Sequence, residues 1–338
     1  GWSERTFQVQ NKYWQGRARV SLDDHENLIR ALRSQLQSIR AEFSNGIDQM
    51  GELARQFDDE DTEVITEKRK YDTEFSEAVK VISVSCTNGM LKLAKRVMAE
   101  GIGMLKQSPP CRFTAVAIGS LARGEATPYS ALQYLFFMEK KSADFETYFA
   151  SLSLTTYFII GNLRETKLSY MAIDELEGWL DDKSINGFKI DGLALGAGNI
   201  PTGNGSEEIR NHFMVTSAEL LERYRLVLDN PTKEALRGDL TAMLTYMCSI
   251  FAYDQASEYL LKELKDEMAK LSPNENRRVA NMEMLSNDLT KFNFTPDNTL
   301  QEKGFTVNVK KQLYRFPSIL LFDVCLMLGI ADDTAWGT

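Results

Sequence analysis

From Leu28 to Phe57 the apolar residues recur at steps of three and four: Leu28, Leu32, Leu36, Ile39, Phe43, Ile47, Met50, Leu53 and Phe57. At 3.6 residues per turn this stepping gathers them on one stripe, so the segment predicts a single long amphipathic helix. Asp23 or Asp24 offers a cap at its start, and the acidic run DDEDTE at 58 to 63 ends or bends it. The stepping resumes through Tyr71, Phe75, Val79, Ile82, Cys86 and Met90, which predicts a second long helix. The two are expected to pair antiparallel, their stripes meeting as a core seam.

The texture changes at Pro109 and Pro110. FTAVAIGS reads as a short apolar strand ending at Ile118 and running into a glycine turn, and YLFFME at 134 to 139 reads as a second strand. Phe145, Tyr148, Phe149 and Leu152 predict a helix from about Asp144 to Leu163, although the run TTYFII inside it also suits a strand. A third strand is expected at FKIDGLAL, 188 to 195, followed by a Gly-rich loop at 196 to 206. From His212 the chain reads as helical. Leu220, Leu221, Tyr224, Leu226 and Leu228 begin one helix, Leu236 to Leu264 give one or two more, and Lys310 to Leu328 close the domain. The expected fold is α+β in three parts: helical at 1–108, a small mixed sheet with helices at 109–208, and helical again at 209–338.

Composition narrows the function. A formal charge of -9 on 338 residues argues against nucleic acid as a partner, because phosphate-backbone binding relies on a basic surface. Cys86, Cys111, Cys248 and Cys325 lie far apart, and His25 and His212 are the two histidines, so neither a zinc site nor a disulfide framework is written here. Free thiols in a reducing compartment are expected. With no basic-apolar-small leader and no apolar run near the ~20 residues of a membrane helix, a cytoplasmic protein is expected. Gly1 followed by Trp2 reads as the trimmed start of something longer.

The chemistry is carried by AVAIGSLARGEATPYSALQYLFF, 115 to 137. A strand runs into the turn Gly119-Ser120, and a second short strand follows with the triplet Ala131, Leu132, Gln133. A Gly-Ser turn lets backbone amides and a hydroxyl approach a triphosphate closely, since glycine has no side chain in the way. In polymerase-β-type nucleotidyltransferases, which this segment resembles, two carboxylates at alternate positions of the next strand face one side of the sheet and bridge two Mg²⁺ ions. Such ions align an attacking hydroxyl and neutralise the leaving pyrophosphate.

GSLARGEATPYSxLxY resembles the core of the protein-PII uridylyltransferase-like nucleotidyltransferases of the polymerase-β superfamily, through Gly119, Ser120, Arg123, Gly124, Glu125, Thr127, Pro128, Tyr129 and Ser130. The resemblance continues at GFKIDG, where the family places a third carboxylate, here Asp191, and at VKKQLYRFPS, 309 to 318. It spans about Arg112 to Ile330. It implies a polymerase-β-type sheet, two Mg²⁺ ions and an NTP as substrate. It also implies nucleotide-binding roles for Gly119, Ser120, Arg123, Ser130, Lys311 and Arg315.

The departure from the family pattern is as informative as the match. Its paired metal carboxylates correspond to Ala131 and Gln133, leaving Asp191 alone of the three. Alanine offers no oxygen, and a neutral amide is a poor ligand for a hard divalent cation. The chain as written is therefore expected to be catalytically inactive. Because the surrounding motif is intact, it reads as a working enzyme disarmed by engineering; a natural pseudoenzyme is the competing account. The active form would move NMP, as AMP, UMP or another, from an NTP to a hydroxyl of a protein or small-molecule acceptor. A toxin or secreted effector acting in a target cell's cytoplasm would suit it. The alternative from another class is a pseudoenzyme scaffold, sensing a nucleotide or engaging a protein partner, with the N-terminal helices mediating the interaction.

Three further features have competing readings. Lys310, Lys311, Tyr314 and Arg315 form either a triphosphate clamp or a solvated basic stripe. Glu125 is expected to pair with Arg123 or cap the turn rather than bind metal. The 196–206 loop lacks a P-loop lysine and reads as a connection or lid, and His212 as a helix-entry histidine.

Overall fold

Both apolar stripes fold as helices in the structure, a computed structural model that describes residues 22–58, 65–163, 214–229, 248–252 and 254–271, with positions 165, 187, 188, 190, 282, 285 and 286. Helix α1 spans Leu22–Asp58 and α2 spans Ile65–Leu105. Gly46 backs onto Ile82, Ile39 onto Gly89, and Arg96 Nη1 donates to Gln35 Oε1 at 3.5 Å. Positions descending α1 thus meet positions ascending α2, and the pair is antiparallel. Leu32, Leu36, Met90, Leu93 and Val97 are buried between and beneath the helices. The stripe departs from expectation at Ile47, which is 46% exposed, while Gly46 is buried in its place. A straight helix drifts against a repeat of four-residue steps, so the seam passes from Ile39 to the residue seven further on.

His25, in the first turn of α1, is buried and stacks on Phe158 with ring centroids 5.2 Å apart. Burial pushes its pKa from 6.5 down to about 4. Above pH 6.5 the ring is neutral in folded and unfolded chains alike. Between pH 6.5 and about 4 the unfolded chain binds the proton first, so stability falls as pH falls. The full loss is on the order of 3 kcal/mol. Urea titrations from pH 7 to 4 should show this slope and find it flattened in His25→Leu; an equal slope in both proteins would assign the loss to other groups.

Four strands form a mixed sheet in the order β3-β2-β1-β4. Strand β1 is Phe113–Ala117, β2 Tyr134–Met138, β3 Met214–Thr216 and β4 Cys248–Ala252. β1 pairs antiparallel with β2, Phe113 opposite Met138 and Ala117 opposite Tyr134, and antiparallel with β4 through an irregularity between Ala115 and Val116. β2 pairs parallel with β3. Every residue of β1 and β2 is buried, as expected of central strands covered on both faces. One face, with Phe113, Ala115, Ala117, Tyr134, Phe136 and Met138, joins the core beneath α1 and α2. Strand β4 corrects the expectation of helix from Leu236 to Leu264: CSIFA carries isoleucine and phenylalanine, suits a pleated surface and completes the sheet.

Helix α3, Ala143–Gly161, settles the ambiguous TTYFII run as helix. Ser142 caps it, accepting from Phe145 N, and Asp144 and Glu146 complement the first-turn dipole. Thr147, Ser151 and Thr155 return their hydroxyls to carbonyls four residues back, which satisfies them without leaving the helix. Asn162 ends it, its amide and backbone N–H both donating to Phe158 O.

The chain divides into two compact units. The first, residues 1–216 and 248–261, holds α1 to α3 and the whole sheet, so two of the four strands come from beyond residue 208. In the second, residues 217–247 and 262–338, the described residues include α4, Ser217–Asp229, with Leu220 and Tyr224 buried. They also include the later part of α5, Gln255–Leu271, where Leu264 and Met268 are buried. No helix among the described residues is long and apolar enough to cross a membrane. The stretches 196–206 and 310–328 lie outside the described residues, as does His212.

Candidate functional site

Strand β1 runs straight into the Gly-Ser turn. Ile118 N donates to Gln133 O at 3.0 Å, extending the β1–β2 pairing by one rung. Gly119 then takes φ +68°, in the left-handed region that favours glycine. Its carbonyl accepts from both Ala122 N and Arg123 N at 3.1 Å, and Ser120 O accepts from Glu125 N at 2.9 Å. These bonds wind residues 119–125 into one tight turn. Arg123 Nε donates to Glu125 Oε2 at 3.0 Å, the ion pair expected for Glu125, and the glutamate is nearly buried.

The following TPYS segment closes on itself. Thr127 N donates to Ser130 Oγ at 2.9 Å, Ser130 N donates to Thr127 O at 2.9 Å, and the two hydroxyls lie 3.2 Å apart. Ser130 thus holds the turn in this structure. Tyr129 projects outward, about half exposed.

Ala131 and Gln133 flank Leu132, which forms a parallel bridge to Ile190. Both flanking residues are half-buried, just before β2 begins at Tyr134. The side-chain oxygen of Gln133 occupies the space where a Cβ on Gly119 would stand, so Gly119 and position 133 are in contact. Behind them the Tyr134 hydroxyl lies 3.2 Å from Ser153 Oγ, and burial raises its pKa beyond the ordinary phenol value.

Ala131 and Gln133 do not by themselves supply the oxygens that a pair of Mg²⁺ ions needs. Ala131 contributes no oxygen, Gln133 contributes a neutral amide, and no cluster of three His, Cys, Asp or Glu side chains suited to a metal occurs among the described residues. Asp191, Lys311 and Arg315 lie outside the described residues; Ile190, the neighbour of Asp191 in the chain, is the residue bridged to Leu132. Thus Gly119, Ser120, Arg123, Ser130, Ala131 and Gln133 share one continuous turn-and-strand region.

Other residues hold this region, and no spacing in the sequence marks them. Thr87 of α2, buried, accepts a 3.0 Å hydrogen bond from Ala126 N. Arg40 of α1 lies over the Tyr129 ring, 4.5 Å from its centroid, and pairs with Glu165. Thr87 follows the apolar Cys86 and reads from sequence as an ordinary interior threonine; Arg40 reads as a solvated helix charge. Thr87→Val keeps the shape but leaves Ala126 N buried without its acceptor, a loss of about 1–3 kcal/mol. Denaturant unfolding should show a lower midpoint at unchanged slope; an unaltered midpoint would remove this anchor.

No family model and no curated protein matches this chain.

Proposed function

We propose that the chain is a nucleotidyltransferase frame of the polymerase-β type, which in its active form transfers NMP from an NTP to a hydroxyl of a protein or small-molecule acceptor and releases pyrophosphate. The observation that carries this reading is the contact between Gly119 and Gln133. A left-handed glycine turn at the end of a central strand is a cradle for phosphate oxygens. The residue at the family's second carboxylate position lies against that turn, the neighbourhood in which a cation-binding oxygen would serve a bound triphosphate. The Leu132–Ile190 bridge supports the same reading, since it joins the middle of the Ala131–Gln133 triplet to the residue preceding Asp191.

With Ala131 and Gln133 in place the chain binds nucleotide without turning it over. The test is the Ala131→Asp, Gln133→Glu double variant with Mg²⁺ and each labelled NTP. Pyrophosphate release with label on protein, small molecule or RNA names the acceptor class. Absence of both NTP binding and labelling would leave the scaffold reading in its place.

A further inference from the structure

We propose that Arg40, on the first helix, is a positioning residue of this site, holding the TPYS turn and the segment around Gly187 in their mutual register. This rests on the functional reading above for its chemistry, though not for its geometry.

The guanidinium engages two partners at once. Nη1 donates to Glu165 Oε1 at 3.0 Å and Nη2 closes a second bond to Glu165 Oε2, a bidentate fork, while Cζ lies over the Tyr129 ring, 4.5 Å from its centroid. The pair is largely enclosed, with Arg40 23% and Glu165 14% exposed. Nε, also buried, has no hydrogen-bond partner among the described residues. An ordinary exposed ion pair would leave its cation to water and contribute little. Here the residues held are informative. Tyr129 belongs to the turn closed by Thr127 and Ser130, immediately before Ala131. Glu165 packs its backbone oxygen and side chain against the bare Cα of Gly187, which precedes the Ile190 bridge to Leu132. Arg40 therefore touches one of the two converging segments directly and the other through Glu165. Lysine cannot reproduce this: it carries the charge without the planar fork, so it cannot bond Glu165 bidentately while stacking on the ring.

Two measurements decide the proposal. In the full chain, Arg40→Lys is expected to speed amide hydrogen exchange at Thr127 and Ser130 by about tenfold, with α1 and α2 still protected. Tyr129→Leu should do the same, whereas Tyr129→Phe, which keeps a ring beneath the cation, should match the parent. Unchanged exchange in both Arg40→Lys and Tyr129→Leu overturns the proposal, and if Arg40→Lys fails to fold, the Tyr129 pair decides. In the second arm the same changes are made in the Ala131→Asp, Gln133→Glu background. There kcat should fall roughly ten- to a hundredfold with KM little altered, as for misplacement of reacting groups. A lowered melting temperature with kcat unchanged would mean a purely structural pair and overturn it. Should the doubly restored parent be inert, the enzyme reading fails and the exchange arm still rules on Arg40.

Discussion

The chain carrying Ala131→Asp and Gln133→Glu is expected to release pyrophosphate from an NTP in Mg²⁺ on the order of a thousandfold faster than the chain as written, or more. Stabilising charge on a transferring phosphoryl group is worth several kcal/mol, and about 4 kcal/mol already gives that factor. Neither single restoration should suffice, because either carboxylate alone leaves the alternate position, 131 or 133, without its own. A second readout does not depend on turnover. Two carboxylates introduced at half-buried, alternate positions repel one another, so the metal-free double variant should melt below the parent. Mg²⁺ should raise its melting temperature and leave that of the parent unmoved, since a ligand that binds only the folded chain stabilises it by mass action. A double variant that neither gains stability with Mg²⁺ nor releases pyrophosphate would sink the enzyme reading, whatever its affinity for nucleotide.

Where side-chain periodicity was strong, the sequence was legible. The Leu28–Phe57 and Tyr71–Met90 stripes announce α1 and α2, because helices of 37 and 41 residues repeat their apolar signal over many turns. Strands β1 and β2 show as apolar blocks before and after the glycine turn, and their pairing is antiparallel across it. The rest was hidden for identifiable reasons. Met214–Thr216 is too short to carry a period, and Cys248–Ala252 sits inside an apolar stretch that fits a helix equally well until its partner β1 is known. Long-range pairing of that kind is decided by tertiary contacts. At the site, the turn at Gly119 and the Arg123–Glu125 pair were readable because neighbours in sequence make them. Thr87 and Arg40 were not, since each meets the loop from a distant helix and neither residue type is unusual at its own position. The helical pair, whose stripes meet as a core seam, belongs to the same compact unit as the sheet and supplies two anchors of the candidate site, Thr87 and Arg40.

The largest loss of stability from one substitution is expected at Phe113, at the start of the strand that ends in the Gly119 turn. Its ring is fully buried and meets Phe149 of α3 at 4.8 Å, Phe136 of β2 at 5.8 Å and Phe251 of β4 at 6.2 Å between centroids. One side chain thus joins the central strand to both neighbours and to the helix above them. The first two contacts are edge-on, the arrangement that aligns the positive rim of one ring with the negative face of another. Phe113→Ala removes the buried ring and leaves a cavity among large, fixed neighbours that cannot close over it, a cost of about 3–5 kcal/mol. Phe113→Leu retains much of the volume and should cost less, about 1–2 kcal/mol, the share belonging to ring geometry. The damage should also reach the turn, because β1 and β2 set the register in which Ile118 N meets Gln133 O. Urea unfolding supplies the energies, and exchange at the Ile118 amide reports the register. A Phe113→Ala protein within about 1 kcal/mol of the parent would contradict a packed joint at this position. Large destabilisation with full protection at Ile118 would separate the strand's stability from the geometry of the turn.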